Sequence, residues 1–397
     1  MFQAPSRPVS RIYWRGSLMA AVPGLLLVAA LAGARTPEPP PRPPSQQPSA
    51  ATDAQAAPTE PPDGSASAEP RSFTIAAAGD ILPHGAVIES AATNASDADE
   101  AHDFRPMFAQ TAPLFRSADL AGCHLEAPLS GENQDVVGGG EHRLPGGAPR
   151  FNAPFELADA IADAGFDTCS TAHNHSSDAG PQGIIDTIDH LERVGVVPVG
   201  SAAEPQGAET ARMHDLEGVT VAHLAATYGL NDPLPDDQAW MVDEIDLAWI
   251  LDEATSAWDD GAHFVIVSLH HGLEYQIEPS DNQRQRADVL LASGEVDLLI
   301  GHHAHVVQPI ERVHDKVALH GLGNLLSNMH PAVTGPGTQD GAVVVDVGAA
   351  LLPGELHGVP LDGDTRAELE ASWDRTVDAI TREGADEWGV APVHPPP

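Results

Sequence analysis

Three histidines stand within four residues in GHHAHVVQ, Gly301 to Gln308, directly after the apolar run Val296 to Ile300. Packing is a poor reason for three imidazoles so close together, and histidine is the commonest metal ligand because its neutral ring offers a nitrogen lone pair near neutral pH. If the segment is strand-like, His303 and His305 alternate onto one side, and His302 faces the other or reaches a second centre. HHGLEY, His270 to Tyr275, follows the run HFVIVSL and holds one ligand, best His270, one outer partner in His271 and an acid/base group in Glu274. In TAHNHSSDAG, Asn174 offers a neutral oxygen and His175 a ligand or a group that stabilises charge developing on substrate. The bland reading of that segment, with His173 and Asp178, is an Asx-type turn leading into a helix at Gly180-Pro181. Two acids complete the set, Asp80 in AAAGDILPHG and Glu126 in GCHLEAPLS, with His84 and His124 beside them. A lone Asp at a strand end is ordinarily a turn or helix cap. With the histidine clusters downstream it becomes part of a mixed oxygen and nitrogen donor set, which suits manganese, iron or zinc better than an all-oxygen calcium or magnesium cage.

Elements of an α/β domain must position these groups. From Phe73 to Val347 strand-sized apolar runs such as FTIAAAGD, VTVAHLAATY, HFVIVSL and GAVVVDV alternate with amphipathic segments such as ELADAIADAGFD and DTIDHLERVG. Each polar cluster lies just beyond the carboxyl end of an apolar run, where α/β sheets collect ligands, so the clusters are expected to share one rim. No period of 20 to 50 residues marks a repeat architecture.

The chain has 397 residues with 19 Lys+Arg against 58 Asp+Glu, a formal charge of −39, and Lys316 is the one lysine. A basic footprint for phosphate backbones is missing, which excludes nucleic acid as a partner. Arg7, Arg11 and Arg15 precede an uncharged run from Ser17 to Ala34 ending in Ala32-Gly33-Ala34. Residues 1–34 thus read as a signal peptide or, if uncleaved, an N-terminal membrane anchor. No cysteine follows the run, so a lipoprotein anchor is excluded. The expected location is outside the cytoplasm, on the extracellular face of the cytoplasmic membrane or secreted. Residues 35–70, rich in Pro, Ala and Ser, read as a disordered linker. Residues 71–349 form the domain, and 350–397 a peripheral helix between Thr365 and Thr381 with a frayed end. Cys123 and Cys169 are expected as buried free thiols on neighbouring strands, paired only if the strand ends face each other.

Taken in order, GD, HLEAPL, AHNHSSDAG, HHGLEY, GHHAHVVQPIE and GLGNLLSN resemble the CapA capsule-synthesis (poly-γ-glutamate synthesis) family, of the calcineurin-like metallophosphatase superfamily. The resemblance implies a two-sheet sandwich flanked by helices (α/β/β/α) and a rim binding two divalent metal ions. Position by position it implies Asp80, Glu126, Asn174, His270, His303 and His305 as ligands. His175, Glu274 and His302 would handle substrate or protons, and Gly323-Asn324 would form a turn near the rim. Asp80 and His305 would hold one ion, Asn174 and His303 the other, with Glu126 bridging and His270 completing the shell. Three departures stand out: His173-Asn174-His175 for Asn-Asn-His, His270-His271-Gly272 for His-Trp-Gly, and His303-Ala304-His305 for His-Pro-His. The added histidines could extend the metal site, and the lost Trp removes an apolar wall. The activity implied is a metal-dependent hydrolase or transferase of phosphoesterase type, acting on an anionic polymer or a peptide or phosphoester substrate. The alternatives are an auxiliary component of a membrane synthase complex, and a peptide epimerase using His175 and His302 on opposite substrate faces.

Overall fold

A computed structural model of the chain describes residues 26–31, 73–96, 100–216, 218–329, 334–335, 337–338, 341–345, 351–352, 374–385 and 390–392. The linker 35–70, most of 1–34 and most of 350–397 lie outside the described residues. No helix among the described residues is long and apolar enough to cross a membrane.

Two sheets face each other. The first runs in the order Leu351–Leu352, Leu26–Leu31, Gly341–Val345, Ile75–Ile81, Leu120–Leu125, Thr168–Ser170, Val197–Val199. Its last four strands are mutually parallel, and Asn324–Leu326 pairs parallel with Ile75–Ile81. The second runs Ile310–Val313, Lys316–Leu319, Leu298–His302, Phe264–His270, Val219–Thr227, Arg212–Leu216, with its four inner strands parallel. Side chains alternate along a strand, so a sheet of this kind needs cover on both faces. Ala77, Leu120, Val221, Ile266, Leu298 and Ile300 meet between the sheets. Ala76, Ala78, Ala121 and Leu125 turn outward onto a layer including helix Glu156–Ala164, whose Leu157 and Ile161 are fully buried. Val265, Val267, Leu269 and Leu299 turn outward onto helices Leu247–Asp259 and Asp281–Ala292. The architecture is therefore the α/β/β/α sandwich that the resemblance implied.

Local chemistry sets the helix ends. Asp246 caps Leu247–Asp259 by accepting from the Ala248 amide at 2.8 Å, and Ser280 with Gln283 forms a reciprocal capping box at the start of Asp281–Ala292. Helix Glu156–Ala164 stops at Gly165, whose φ of 102° other residues rarely adopt.

Two expectations are corrected. Residues 374–381 are helical, but Ala379 and Ile380 are buried in the core between the sheets, beside partly buried Phe73, Ile75 and Phe264. That helix closes one end of the sandwich and is not peripheral; the Thr365 to Trp373 part of the expected helix lies outside the described residues. Cys123 and Cys169 are joined in a disulfide and are not free thiols. They are register partners on adjacent parallel strands with Cα atoms 4.5 Å apart, which meets the geometric condition for a bridge.

Candidate metal centre

Every residue of the centre comes from the carboxyl end of a parallel strand. Asp80 lies near the end of Ile75–Ile81, where the pairing with Leu120–Leu125 shifts register between Ala77 and Asp80. The shift is accompanied by close approach of another backbone: a Cβ on Gly79 would lie 2.4 Å from the Gly323 carbonyl, which accepts the Asp80 amide at 2.9 Å. Asp80 thereby becomes the register partner of His124 and points between the sheets. Glu126 follows Leu120–Leu125, Asn174 follows Thr168–Ser170, and His270 ends Phe264–His270. His302 ends Leu298–His302, and His303 and His305 follow it.

These last two do not alternate as a strand would. Their φ angles are 88° and 55°, in the left-handed region that side chains normally avoid. Such conformations cost about 1–3 kcal/mol each and persist where surroundings enforce them. Here the His303 amide donates to Asp80 Oδ2 at 3.2 Å and His305 Nδ1 donates to Asn324 Oδ1 at 3.0 Å.

The expected ligands converge in one buried cluster. Donor atoms of Asp80, Glu126 and His305 lie within 4.8 Å of one another, as do those of Glu126, His270 and His303, so Glu126 belongs to both sets. Asn174 Oδ1 lies 3.0 Å from His270 Nε2. Glu126 is fully buried, yet neither carboxylate oxygen has a hydrogen-bond partner, and its nearest cationic candidates, His270 Nε2 and His305 Nε2, are both 3.6 Å away. His303 Nδ1 is likewise buried and unpartnered. Buried polar atoms are rarely left so, and a carboxylate beside free imidazole nitrogens is the donor set a divalent cation satisfies.

Electrostatics agree. Burial pushes the Glu126 carboxyl well above the usual range, aided by Asp80, Glu274 and Asp178 and opposed by His305. Burial works against Asp80 too, but hydrogen bonds with His302 and His305 hold its carboxyl well below the usual range. Burial and neighbouring imidazoles keep His270 well below its ordinary value, and His303 is lowered to about 3. Both rings stay neutral, as ligation requires. His305 goes the other way, to about 10, because the charges of Glu126 and Asp80 overcome its burial.

The groups expected to act on substrate separate into two kinds. His175 Nδ1 donates to Asp178 Oδ2 at 2.8 Å, which also accepts the Phe151 amide at 2.8 Å, and Phe151 stands edge-on to His175 with centroids 4.8 Å apart. Glu274 is exposed, with a carboxylate oxygen within 4.8 Å of donor atoms of His303 and His305. His302 is different. It is 3% exposed, donates from Nδ1 to Asp80 Oδ1 at 2.8 Å and stacks on His124 at 4.1 Å, and its donor atoms lie within 4.8 Å of those of Asp80 and His124. The added histidines do not extend the cluster either. His173 and His271 are absent from every metal-like grouping among the described residues; His173 Nδ1 accepts from the His175 amide, and His271 Nδ1 accepts from Arg286 at 3.1 Å.

Sequence reading missed three contributors. Ser170 Oγ lies 2.5 Å from His124 Nδ1, and His124 Nε2 is 2.9 Å from His270 Nδ1, so a chain of contacts fixes the His270 ring. Tyr228 is half exposed above the cluster, its ring 4.8 Å from His303 and 6.0 Å from His270. Asn231 donates its amide to the Asn174 carbonyl at 2.8 Å. Tyr228 was findable, since it ends the run VTVAHLAATY at a strand's carboxyl end; Ser170 and Asn231 carried no signal.

Residues 74–329 match the family model described as "Bacterial capsule synthesis protein PGA_cap". Among curated relatives, the chain is 27% identical over 231 residues to the PGA biosynthesis protein CapA of Bacillus subtilis (strain 168), covering 55% of this chain and 56% of the relative. It is 24% identical over 224 residues to the capsule biosynthesis protein CapA of Bacillus anthracis, covering 55% and 53%. The chain thus spans about half the length of these relatives. A solved calcineurin-like phosphoesterase, YfkN from Bacillus subtilis, aligns at 12% identity with a TM-score of 0.35, covering 77% of this chain and 98% of that one.

Proposed function

This chain belongs to the bacterial capsule synthesis family, and on that premise we propose that it is an exported, metal-dependent protein of capsule or poly-γ-glutamate synthesis or processing. Its cluster would hold two divalent ions of the manganese, iron or zinc kind and serve hydrolase- or transferase-type chemistry on an anionic polymer or a peptide or phosphoester bond. The observation that carries the reading is Glu126: a fully buried carboxylate with no hydrogen-bond donor on either oxygen, shared by two sets of metal-type donors.

Asp80, Glu126 and His305 would hold one ion, and Glu126, His270, His303 and Asn174 the other. Bound there, the ions would polarise a phosphoryl or acyl oxygen and lower the pKa of a water. The protein's own groups do the rest. His175, with Nδ1 donating to Asp178, presents Nε2 to accept a proton and, once protonated, to donate to developing negative charge or to a leaving group. Glu274, exposed beside His303 and His305, would accept a proton. His302 positions Asp80. The epimerase alternative needs His302 on the substrate face, and its burial against Asp80 counts against that role.

The test is metal analysis of the purified full chain after chelation and reloading with manganese, iron or zinc, with His303→Ala as control. About two ions per wild-type chain are expected, followed by turnover of bis-p-nitrophenyl phosphate or of γ-glutamyl oligomers. Failure to take up stoichiometric metal under every loading condition overturns the reading. Metal without turnover of either substrate moves the assignment to the auxiliary role.

A further inference from the structure

Five large apolar or aromatic side chains are exposed among the described residues: Met213, Tyr228, Leu273, Tyr275 and Val289. Met213 lies on the edge strand Arg212–Leu216 and Val289 on helix Asp281–Ala292. The other three follow two neighbouring parallel strands, Val219–Thr227 and Phe264–His270, whose register pairs Thr227 with His270. Both loops therefore leave the sheet at the metal centre. Single exposed apolar groups are ordinary on a protein surface, whereas three gathered at one site mark it for binding.

Each tyrosine is anchored by its backbone. The Tyr228 amide donates to the His270 carbonyl at 3.0 Å, and its ring lies 4.8 Å from His303 and 6.0 Å from His270. The Tyr275 amide donates at 2.7 Å to the carbonyl of Ala304, between His303 and His305, and its ring is stacked 6.2 Å from His305. Tyr275 has a φ of 64°, a left-handed conformation that a bulky side chain keeps only where its surroundings enforce it. Exposed Glu274 precedes it, with a carboxylate oxygen within 4.8 Å of donor atoms of His303 and His305. Burial raises both phenols above their ordinary pKa, with the Asn174 side chain opposing at Tyr228, and the charges of Glu274 and Glu126 raise each further. Both rings are therefore neutral, and no cation is among the charges acting on them.

The centre would hold the oxygens of the reacting group, and what is attached to that group meets this margin. The margin offers two aromatic rings, one isobutyl group and one carboxylate. A further carboxylate there would face Glu274 on a chain whose net charge is −39. A flat, uncharged ring can instead pack offset or edge-on against a tyrosine and shed water without burying a charge. We propose that Tyr228, Leu273 and Tyr275 form a subsite for a flat, uncharged ring next to the bond acted on, and that Glu274 turns away a carboxylate at the same place. This rests on the metal-dependent reading above and narrows what that site accepts.

The experiment measures, by calorimetry on the metal-loaded full chain, the binding of methylphosphonate, phenylphosphonate and 4-carboxyphenylphosphonate. The rigid ring of the last keeps its carboxylate off the ions that hold the phosphonate. Wild type should bind phenylphosphonate at least about tenfold more tightly than methylphosphonate. It should bind the carboxylated ring at least about threefold less tightly than the plain one. Tyr228→Ala should remove most of the preference for phenyl over methyl, and Tyr275→Ala part of it. Tyr228→Phe should keep it, because the ring and not the hydroxyl carries it. Methylphosphonate affinity should move less than about twofold in these variants, with about two ions still bound. Met213→Ala removes an exposed apolar side chain away from the centre and should change nothing, and Glu274→Gln should erase the penalty on the carboxylated ring. The inference is overturned if wild type binds phenyl- and methylphosphonate alike or prefers the carboxylated ring. It is overturned equally if Tyr228→Ala and Tyr275→Ala weaken all three phosphonates by the same factor, or if Glu274→Gln leaves the carboxylate penalty unchanged. Any of these results, obtained with metal and methylphosphonate bound to wild type, leaves the metal reading standing. Wild type that takes up no metal sinks the metal reading, and the subsite with it.

Discussion

Asp80 and Glu126 sit at the ends of adjacent parallel strands, and both are buried, yet their surroundings are opposite. Asp80 is fully engaged: His302 donates to one oxygen at 2.8 Å, the His303 amide to the other at 3.2 Å, and His305 stands 3.4 Å away. Glu126 has no donor within hydrogen-bond distance. Burial acts on both carboxyls, but only Asp80 is pulled well below the usual range; Glu126 is pushed well above it. One carboxylate is therefore built into the protein, and the other is built for something added to it. A site assembled from the first kind alone would be a structural network, and it is the second kind that points to a cation.

The largest effect tests the first half of this contrast. Asp80→Ala would strip His302, the His303 amide and His305 of their shared acceptor at once. The chelated protein should lose about 3–5 kcal/mol, the scale for removing one partner of a buried charged network, measured as a lower urea midpoint at unchanged slope. A loss below about 1 kcal/mol would mean that Asp80 is not what holds the left-handed backbone at His303 and His305.

Glu126→Gln tests the second half, and its sign is opposite. Removing an unpaired buried carboxylate should stabilise the chelated protein by about 1–3 kcal/mol, the cost of an unsatisfied buried group, while abolishing stabilisation by added metal. The pH dependence follows from the raised carboxyl. Folding favours the neutral form, so the destabilisation is absent below the ordinary glutamate range and grows as pH rises from there through the raised value. The gain from Gln should accordingly be larger at pH 7 than at pH 5. Equal gains at both, or a loss at pH 7 in the chelated protein, would show that Glu126 is already satisfied without a cation.

The contrast also explains what was legible beforehand. Residue types and their places after apolar runs located Asp80, Glu126, Asn174, His270, His303 and His305, because a strand's carboxyl end is readable from the run preceding it. How each group is satisfied depends on register and backbone angle, which residue type does not encode. The shift at Asp80, the φ of 88° at His303 and the pairing of Cys123 with Cys169 are all of this kind. His302 illustrates the consequence. The resemblance groups it with the residues that handle substrate or protons, but the left-handed turn after it sends the rings of His302 and His303 to different places. The tail reads as peripheral because helical spacing is confined to Thr365 to Thr381 ahead of a Pro-Pro-Pro end, and only the packing of Ala379 and Ile380 between the sheets shows what that helix covers.

A smaller effect separates the metal cluster from the packing beneath it. His223 lies between the sheets, with Nε2 2.9 Å from Ser268 Oγ and Nδ1 3.3 Å from Thr168 Oγ1, and burial lowers its pKa to about 3. A histidine lowered on folding stabilises the protein above its unfolded pKa, and that contribution drains as pH falls through the unfolded value toward the folded one. Between pH 7 and pH 5 the loss is roughly 2 kcal/mol from this residue. Because His223 belongs to neither carboxylate's set of donors, the loss should persist in Glu126→Gln and be larger there than in wild type, since the opposing pH dependence of Glu126 is gone. Disappearance of the acid-side slope in that variant would place its origin in the cluster instead.

The smallest effect is expected from Ser170→Ala. Its hydroxyl, 2.5 Å from His124 Nδ1, is the outermost member of the chain that runs through His124 Nε2 to His270 Nδ1. Losing it should cost about 1 kcal/mol of stability, the usual net value of one such hydrogen bond. The informative readout is metal. His270 stands with Glu126 and His303, on the side with unpartnered atoms, so a loosened His270 should weaken uptake of the ion held there by about tenfold or less. An ion held by Asp80, Glu126 and His305 should be weakened less, because that set does not include His270 and meets it through Glu126, 3.6 Å from His270 Nε2. Two-step metal titration of the chelated variant resolves the two sites, and equal weakening of both would mean that the two halves of the centre are a single unit, contrary to the difference between their carboxylates.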